Sequence, residues 1–342
     1  MSRSGLLFAA LLSCASSLSL AAPYPNTSNF GVPFSEDESW HRQCMRVAGR
    51  SAPRLSEGKA PTLRCDAGAL YYSKRDQAAT SPAEWKQVRE CALAHEDDAV
   101  LMMLYANGFG VAQDTDVAIH HACKLEFIAK AEMEARIAHL SKPGRPGAVF
   151  DQCDDITSGY MGAVCAAIRD AQAERTRKGR FERMARTLTP PAQAALAKLR
   201  QAAERYADSA ETDMQGTGAP GFAIARSGKL RAQFDATLAG MLDKRLPSAS
   251  PQDLARADKQ LNAAYHKLMT PTTAEAGRPE RIGSSTIERS EVRQAERHWI
   301  AYRDAFVAFR ARLPSGASLE AIQLALTRQR LAELNRIMGY RQ

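Results

Sequence analysis

The sequence predicts an all-α protein, a short helical-hairpin repeat array followed by one or two small helical-bundle modules. Three observations carry this. Aromatic residues make up only 7% of 342 residues, while alanine, arginine and glutamine are abundant, a balance that favours helices over strands. Apolar residues recur at three- and four-residue spacing in run after run. One hairpin is punctuated by glycine and aspartate where a helix must end and the next begin. The length allows two or three domains, each able to bury a core.

Residues 1–21 read as a secretory signal. Met1-Ser-Arg-Ser-Gly is a short positive start, Leu6 to Leu12 is apolar, and Ser19-Leu-Ala21 is a small-residue exit, a stretch too short to remain as a membrane span. Cleavage is expected after Ala21. An alternative takes Leu11-Leu-Ser-Cys14 as a lipoprotein box with Cys14 lipidated. No later segment is apolar enough to cross a membrane, so the expected location is periplasmic or secreted, untethered except by lipid.

Six cysteines then remain: Cys44, Cys65, Cys91, Cys123, Cys153 and Cys165. In an exported protein they read as three disulfides rather than metal ligands. Spacing alone leaves all pairings open. A sequential pattern was the working expectation: Cys44 with Cys65, Cys91 with Cys123, Cys153 with Cys165. The formal charge of +8 points to acidic partners such as an envelope protein or a peptidoglycan-associated component, and away from nucleic acid in that compartment.

Residues 22–39 carry prolines and small polar residues without an apolar period, an extended leader. Order is expected from Ser39-Trp40-His41, opening a repeat region over 40–140. Within it, Leu101, Leu104 and Tyr105 mark one helix, Asn107-Gly108 and Gly110 break it, and Asp114 starts a second carrying Val117, Ala118, Ala122 and Cys123. This run, with Leu-Tyr, Asn-Gly-x-Gly-Val and Gln-Asp, resembles a Sel-one-like repeat, a relative of the tetratricopeptide repeat; the resemblance implies a binding scaffold. Ala69 to Tyr72 with Glu84 to Ala92 reads as a degenerate earlier copy. If Cys91 and Cys123 are equivalent positions, a bridge between neighbouring units follows.

A proline- and glycine-rich linker at 141–147 leads to a module over 148–245, with a long helix expected from about 190 to 214. A second linker at 246–252 opens the last module, 253–342, in which 271–285 reads as a loop between helices. Arg200-Gln201-Ala202 recurs as Arg293-Gln294-Ala295. The same offset sets Tyr206 on Trp299 and Glu211 on Asp304. The two modules therefore read as a duplication.

The pattern Asp258-x-x-Leu261-Asn262-x-x-Tyr265-x-x-Leu268, then Arg293 to Asp304, then Leu326-Thr-Arg-Gln-Arg330 resembles the lysozyme inhibitor LprI-like domain of exported bacterial proteins, over 253–338 and more faintly over 150–242. The resemblance implies a helical envelope-binding protein, with lysozyme as one implied partner. Two departures stand out: Glu296 replaces the usual glutamine, and Phe306-Val307 stand where the family carries cysteines.

Glu296, Trp299, Tyr302 and Arg303 share one helix at helical spacing. As binding residues they would anchor a partner, because tryptophan, tyrosine and arginine dominate hot spots. The competing assignment puts Trp299 in a bundle core with Glu296 and Arg303 pairing at its rim. Neither a metal nor a cofactor is implied. Adjacent His120 and His121 point about 100° apart on a helix and cannot share an ion unaided, and Gly108-Phe-Gly110 lacks the strand and lysine of a phosphate loop. The chain carries no recognised catalytic motif, and Glu296 and Asp304 lie about 12 Å apart along a helix, too far for a glycosidase pair. The reading is a non-enzymatic binding protein, with a structural or assembly scaffold as the alternative and a cell-wall enzyme third.

Overall fold

The structure, a computed structural model, describes residues 23–53, 64–142 and 147–341. The expected signal, its Cys14 and most of the 141–147 linker lie outside the described residues.

Among the described residues twelve α-helices run in order: α1 (Ser39–Arg46), α2 (Ala67–Arg75), α3 (Pro82–Ala94), α4 (Asp98–Asn107), α5 (Thr115–Ala122), α6 (Lys130–Leu140), α7 (Gly159–Ala185), α8 (Pro190–Asp208), α9 (Ala219–Leu242), α10 (Pro251–Met269), α11 (Arg289–Arg310) and α12 (Leu319–Met338). Among the described residues the only β-type pairing is an isolated bridge between Arg281 and Glu288.

The helix boundaries have local causes. Ser81 caps α3 and Glu84 reaches back to the Ser81 backbone, with Pro82 in the first turn. Ser250, Pro251 and Asp253 do the same for α10. Each arrangement satisfies backbone donors that a helix start leaves open. Helix α4 ends on Gly108, whose φ of 69° lies in the left-handed region where glycine pays no steric cost. Asp114 then caps α5 through the Val117 amide.

Two cores form. The first gathers α1 to α6 around Tyr71, Tyr72, Met102, Met103, Leu104 and Ile119. Helices α2 with α3, and α4 with α5, make adjoining hairpins. The segment before α1 is not helical, but it is tied down: the Asn26 amide donates to the Cys123 carbonyl at 2.8 Å, and Phe30 packs against Trp40.

Disulfides link Cys44 with Cys123, Cys65 with Cys91 and Cys153 with Cys165. This corrects the sequential pattern at two of three bridges. Cys123 terminates α5, which packs on α1, and the contact is pinned by Arg46 on Asp116 at 2.8 Å; Cys44 of α1 is therefore its neighbour. Cys91 of α3 meets instead the segment just before α2. The bridge between successive hairpins expected from equivalent cysteines does not form.

The second core holds residues of α7 to α12 together. The linker at 246–252 separates helices but not cores. Helix α7 joins the two: Ile168 packs against the first core, Phe181 belongs to the second. Its 27 residues carried no apolar period at the sequence level. Its charges are spent on neighbours: Arg177 on Glu174 at 2.9 Å, and Asp170 on Arg231 of α9 at 3.2 Å. Helix α8 ends at Asp208, short of the expected 214, and the chain turns through Gly216 at φ 80°.

Within the second core α7 pairs with α9, α10 pairs with α12, and α8 packs on α11. Gly159 lies against Thr217 and Gly218, and Gly221 against Gly162 and Ala163. Further along, Asp170 meets Arg231, so α7 and α9 run parallel at close approach. Asp258 accepts from the Thr327 hydroxyl at 3.2 Å, and the Leu268 carbonyl accepts from Arg341 at 3.2 Å, so α10 and α12 are parallel too.

The 270–288 loop between α10 and α11 is closed by Glu275, a buried carboxylate. It accepts from Arg289 at 2.5 Å, from Arg341 at 3.0 Å and from the Gly283 amide at 2.6 Å. Burial opposes its charge, but the Thr272 and Gly283 amides and the two arginines overcome that and lower its pKa from 4.5 to about 2. A carboxylate depressed on folding stabilises fully above its unfolded pKa, and the contribution fades as pH falls towards the folded value. Acid titration of stability is therefore expected to lose about 2–3 kcal/mol between pH ~5 and ~2 from this group alone. Glu275→Gln should flatten that limb of a urea-midpoint profile; an unchanged acid slope would show that Glu275 is not the group responsible.

Candidate functional site: the α11 face and its buried arginine

Helix α11 presents every third or fourth side chain inward: Val292, Ala295, Trp299, Tyr302, Phe306 and Phe309 are buried. Trp299 is 2% exposed and Tyr302 3%. The Tyr302 ring stacks on Tyr206 of α8 at 5.7 Å and meets Phe306 at 5.8 Å. The Tyr302 hydroxyl is buried without a hydrogen-bond partner, and burial, followed by the neighbouring Tyr206 and Asp235, raises its pKa well above the ordinary value. Two of the four candidate binding residues are thus inside the core of this conformation.

The other two do not pair with each other. Arg303 lies over the Trp299 ring at 5.3 Å and donates to Asp304 at 2.9 and 3.0 Å. Glu296 accepts from Arg330 of α12 at 2.9 Å. This corrects the expected rim pair of Glu296 with Arg303. The i+7 arginine is drawn outward over the aromatic ring, and a deeper guanidinium takes the glutamate.

Arg330 was not singled out as a site residue at the sequence level. It is 1% exposed and donates to Glu211 at 2.9 Å as well as to Glu296, with its guanidinium 5.7 Å from the Tyr206 ring. Burial works to lower its pKa, but the charge of Glu211, then Tyr206 and Glu296, outweighs this and holds it above the ordinary arginine value. One buried positive charge thus faces two carboxylates, and removing a partner from a buried ion cluster is costly. Glu211 follows α8, far from α12 in sequence, and its backbone carbonyl also accepts from Arg336 at 2.7 Å. Arg226 of α9 meets Glu333 of α12 beside it. Burial, with Arg336 alongside, lowers the Arg226 guanidinium to about 10.

What α11 offers to solvent is different from what it buries. Glu291, Arg293, Arg297, Ile300 and Asp304 are exposed and Glu296 and Arg303 are partly so, a face of mixed charge around Ile300. His120 and His121 each have their own partner, the Val47 carbonyl at 3.1 Å and Asp98 at 2.7 Å, with ring planes at 87°.

A buried tryptophan helix and an internal arginine mark out α10 to α12 as a small helical module. Residues 243–334 match the family model described as lysozyme inhibitor LprI. The match covers α10, α11 and most of α12, and it includes Trp299 and Arg330 but not Glu211. No curated protein and no solved structure matches the chain.

Proposed function

We propose that the chain is an exported, non-enzymatic binding protein of the cell envelope, whose LprI-like module engages a partner through the solvent face of α11. The observation that carries this is the family match over 243–334, which takes in α10, α11 and most of α12. The non-enzymatic reading is supported by the acids on α11. Glu296 is committed to Arg330 and Asp304 to Arg303, so neither is placed as one half of an acid–base pair.

Repeats of the Sel-one-like type at 40–140 would supply a second binding scaffold. The adjoining α2–α3 and α4–α5 hairpins are what such repeats require. A duplication of the LprI-like unit is supported by the pairing pattern: the first and third helices of each triplet run parallel, and the middle helices pack on each other. In each triplet an arginine of the third helix also reaches a glutamate of the second, Arg231 to Glu204 at 2.7 Å and Arg330 to Glu296 at 2.9 Å.

The sharper form of the proposal is inhibition of a lysozyme. Lysozymes of the usual cationic kind would meet a chain of charge +8, so encounter is slowed at low salt and eased as salt screens the repulsion. In a turbidity assay of cell-wall lysis, inhibition is expected to saturate with protein in excess. After correction for the enzyme's own salt response, it should strengthen as ionic strength rises. Unchanged lysis at every salt concentration would remove the inhibitor form and leave an acidic envelope partner as the target, which crosslinking and pull-down from the envelope would identify.

A further inference from the structure

Cys65, Cys91 and His95 bring a ligand atom each to within 4.8 Å of one another, and no other group of three histidine, cysteine or acidic residues among those described converges in this way. Cys91 and His95 stand one turn apart at the end of α3, where the His95 amide donates to the Cys91 carbonyl at 3.1 Å. Cys65 lies in non-helical chain immediately before Asp66, the cap of α2. We propose that these three residues form a site for a d10 cation, Cu(I) or Zn(II), which becomes available when the Cys65–Cys91 disulfide is reduced.

The ligand set suits such ions. Two thiolates and one imidazole complete a three-coordinate site for Cu(I), or three of the four positions Zn(II) takes, with water as the fourth. Hard cations prefer oxygen and are not favoured here. Reduction by a dithiol transfers two electrons and two protons: the S–S bond breaks, each Sγ gains a hydrogen, and the dithiol closes to its own disulfide. The metal then displaces both thiol protons to solvent and takes the neutral nitrogen of His95, so affinity rises with pH. Sulfurs bound at about 2.3 Å each must separate to roughly 3.8 Å, a small movement for Cys65 outside any helix.

Access also favours this bridge. Cys44 and Cys123 are both fully buried; Cys65–Cys91, like Cys153–Cys165, joins one partly exposed cysteine to one buried one, and beside it His95 is exposed. Cys153–Cys165 has no histidine at ligand distance. His95 lines a cleft of about 640 Å³ together with Glu96, Asp97, Asp98 and Glu126. Lys124 shares this lining but the acids outnumber it, which favours a cation beside His95 in an otherwise basic protein.

The test uses the full chain, reduced with dithiothreitol and desalted without oxygen. Alkylation mapped by mass spectrometry is expected to find Cys65 and Cys91 open before the other four. The reduced chain should then hold one equivalent of Cu(I) against bathocuproine disulfonate, or of Zn(II) against a chromophoric chelator, and the oxidised chain none. His95→Ala, at an exposed position, should weaken binding at least about tenfold with the helical circular dichroism unchanged. Opening of Cys153–Cys165 first, loss of helical signal on reduction, retention of neither ion, or equal affinity in His95→Ala would each overturn the proposal.

Discussion

Replacing Trp299 by alanine is expected to cost about 3–5 kcal/mol of stability, in the range of large-to-small aromatic truncation in a packed core. The indole is 2% exposed, so its apolar area is almost wholly removed from water. It belongs to the same cluster as Leu261 and Leu268 of α10 and Ile322 and Leu326 of α12. Helices that pack on three sides cannot all close on the hole, and the residual cavity adds to the lost transfer free energy. Arg303 would also lose the ring beneath its guanidinium, a smaller contribution of about 0.5–1 kcal/mol at a half-exposed site. Trp299→Phe should recover much of the loss. Urea unfolding of the full chain, followed by far- and near-ultraviolet circular dichroism, measures it. A variant that keeps its midpoint but no longer binds its partner would show that Trp299 anchors a ligand and is not needed to hold the bundle.

That experiment bears on what the sequence could reveal. The α4–α5 hairpin was legible because Asn107-Gly108 and Asp114 state the stop and the start within a few residues, and the chain obeys them. Glu296, Trp299, Tyr302 and Arg303 were legible as one helix stripe. The partners of that stripe were not. Glu211 lies among alanines and serine and aligned in the internal repeat with Asp304, an exposed residue; in the fold it is buried under Arg330, 119 positions away. No local pattern encodes a contact of that separation. Helix α7 was hidden for a related reason, because charged side chains that pair with α9 and α8 look in sequence like a solvated face.

Cysteine pairing was the clearest case of information absent from spacing. The two miscast bridges depend on which helix α5 lies against, and α5 packs on α1 across the hairpins that separate them in sequence. The Cys44–Cys123 bond therefore joins chain segments 79 residues apart, and this sets the second large effect. A loop of that length, closed in the unfolded chain, removes entropy worth about 4–5 kcal/mol at 25 °C in the chain-entropy account. The Cys44→Ala/Cys123→Ala variant is expected to lose most of that, with the loss concentrated in the first core. Both sulfurs sit where the Asn26 amide binds the Cys123 carbonyl and the Tyr24 hydroxyl donates to the Cys44 carbonyl at 3.0 Å, so the leader is expected to become protease-sensitive at the same time. The Cys153→Ala/Cys165→Ala variant opens a loop of only 12 residues and should lose about 1 kcal/mol or more less than the first. Urea midpoints of the two variants, with limited proteolysis of residues 23–38 as the local readout, decide the matter. Equal losses would mean that native packing, and not chain closure, sets what each bridge contributes.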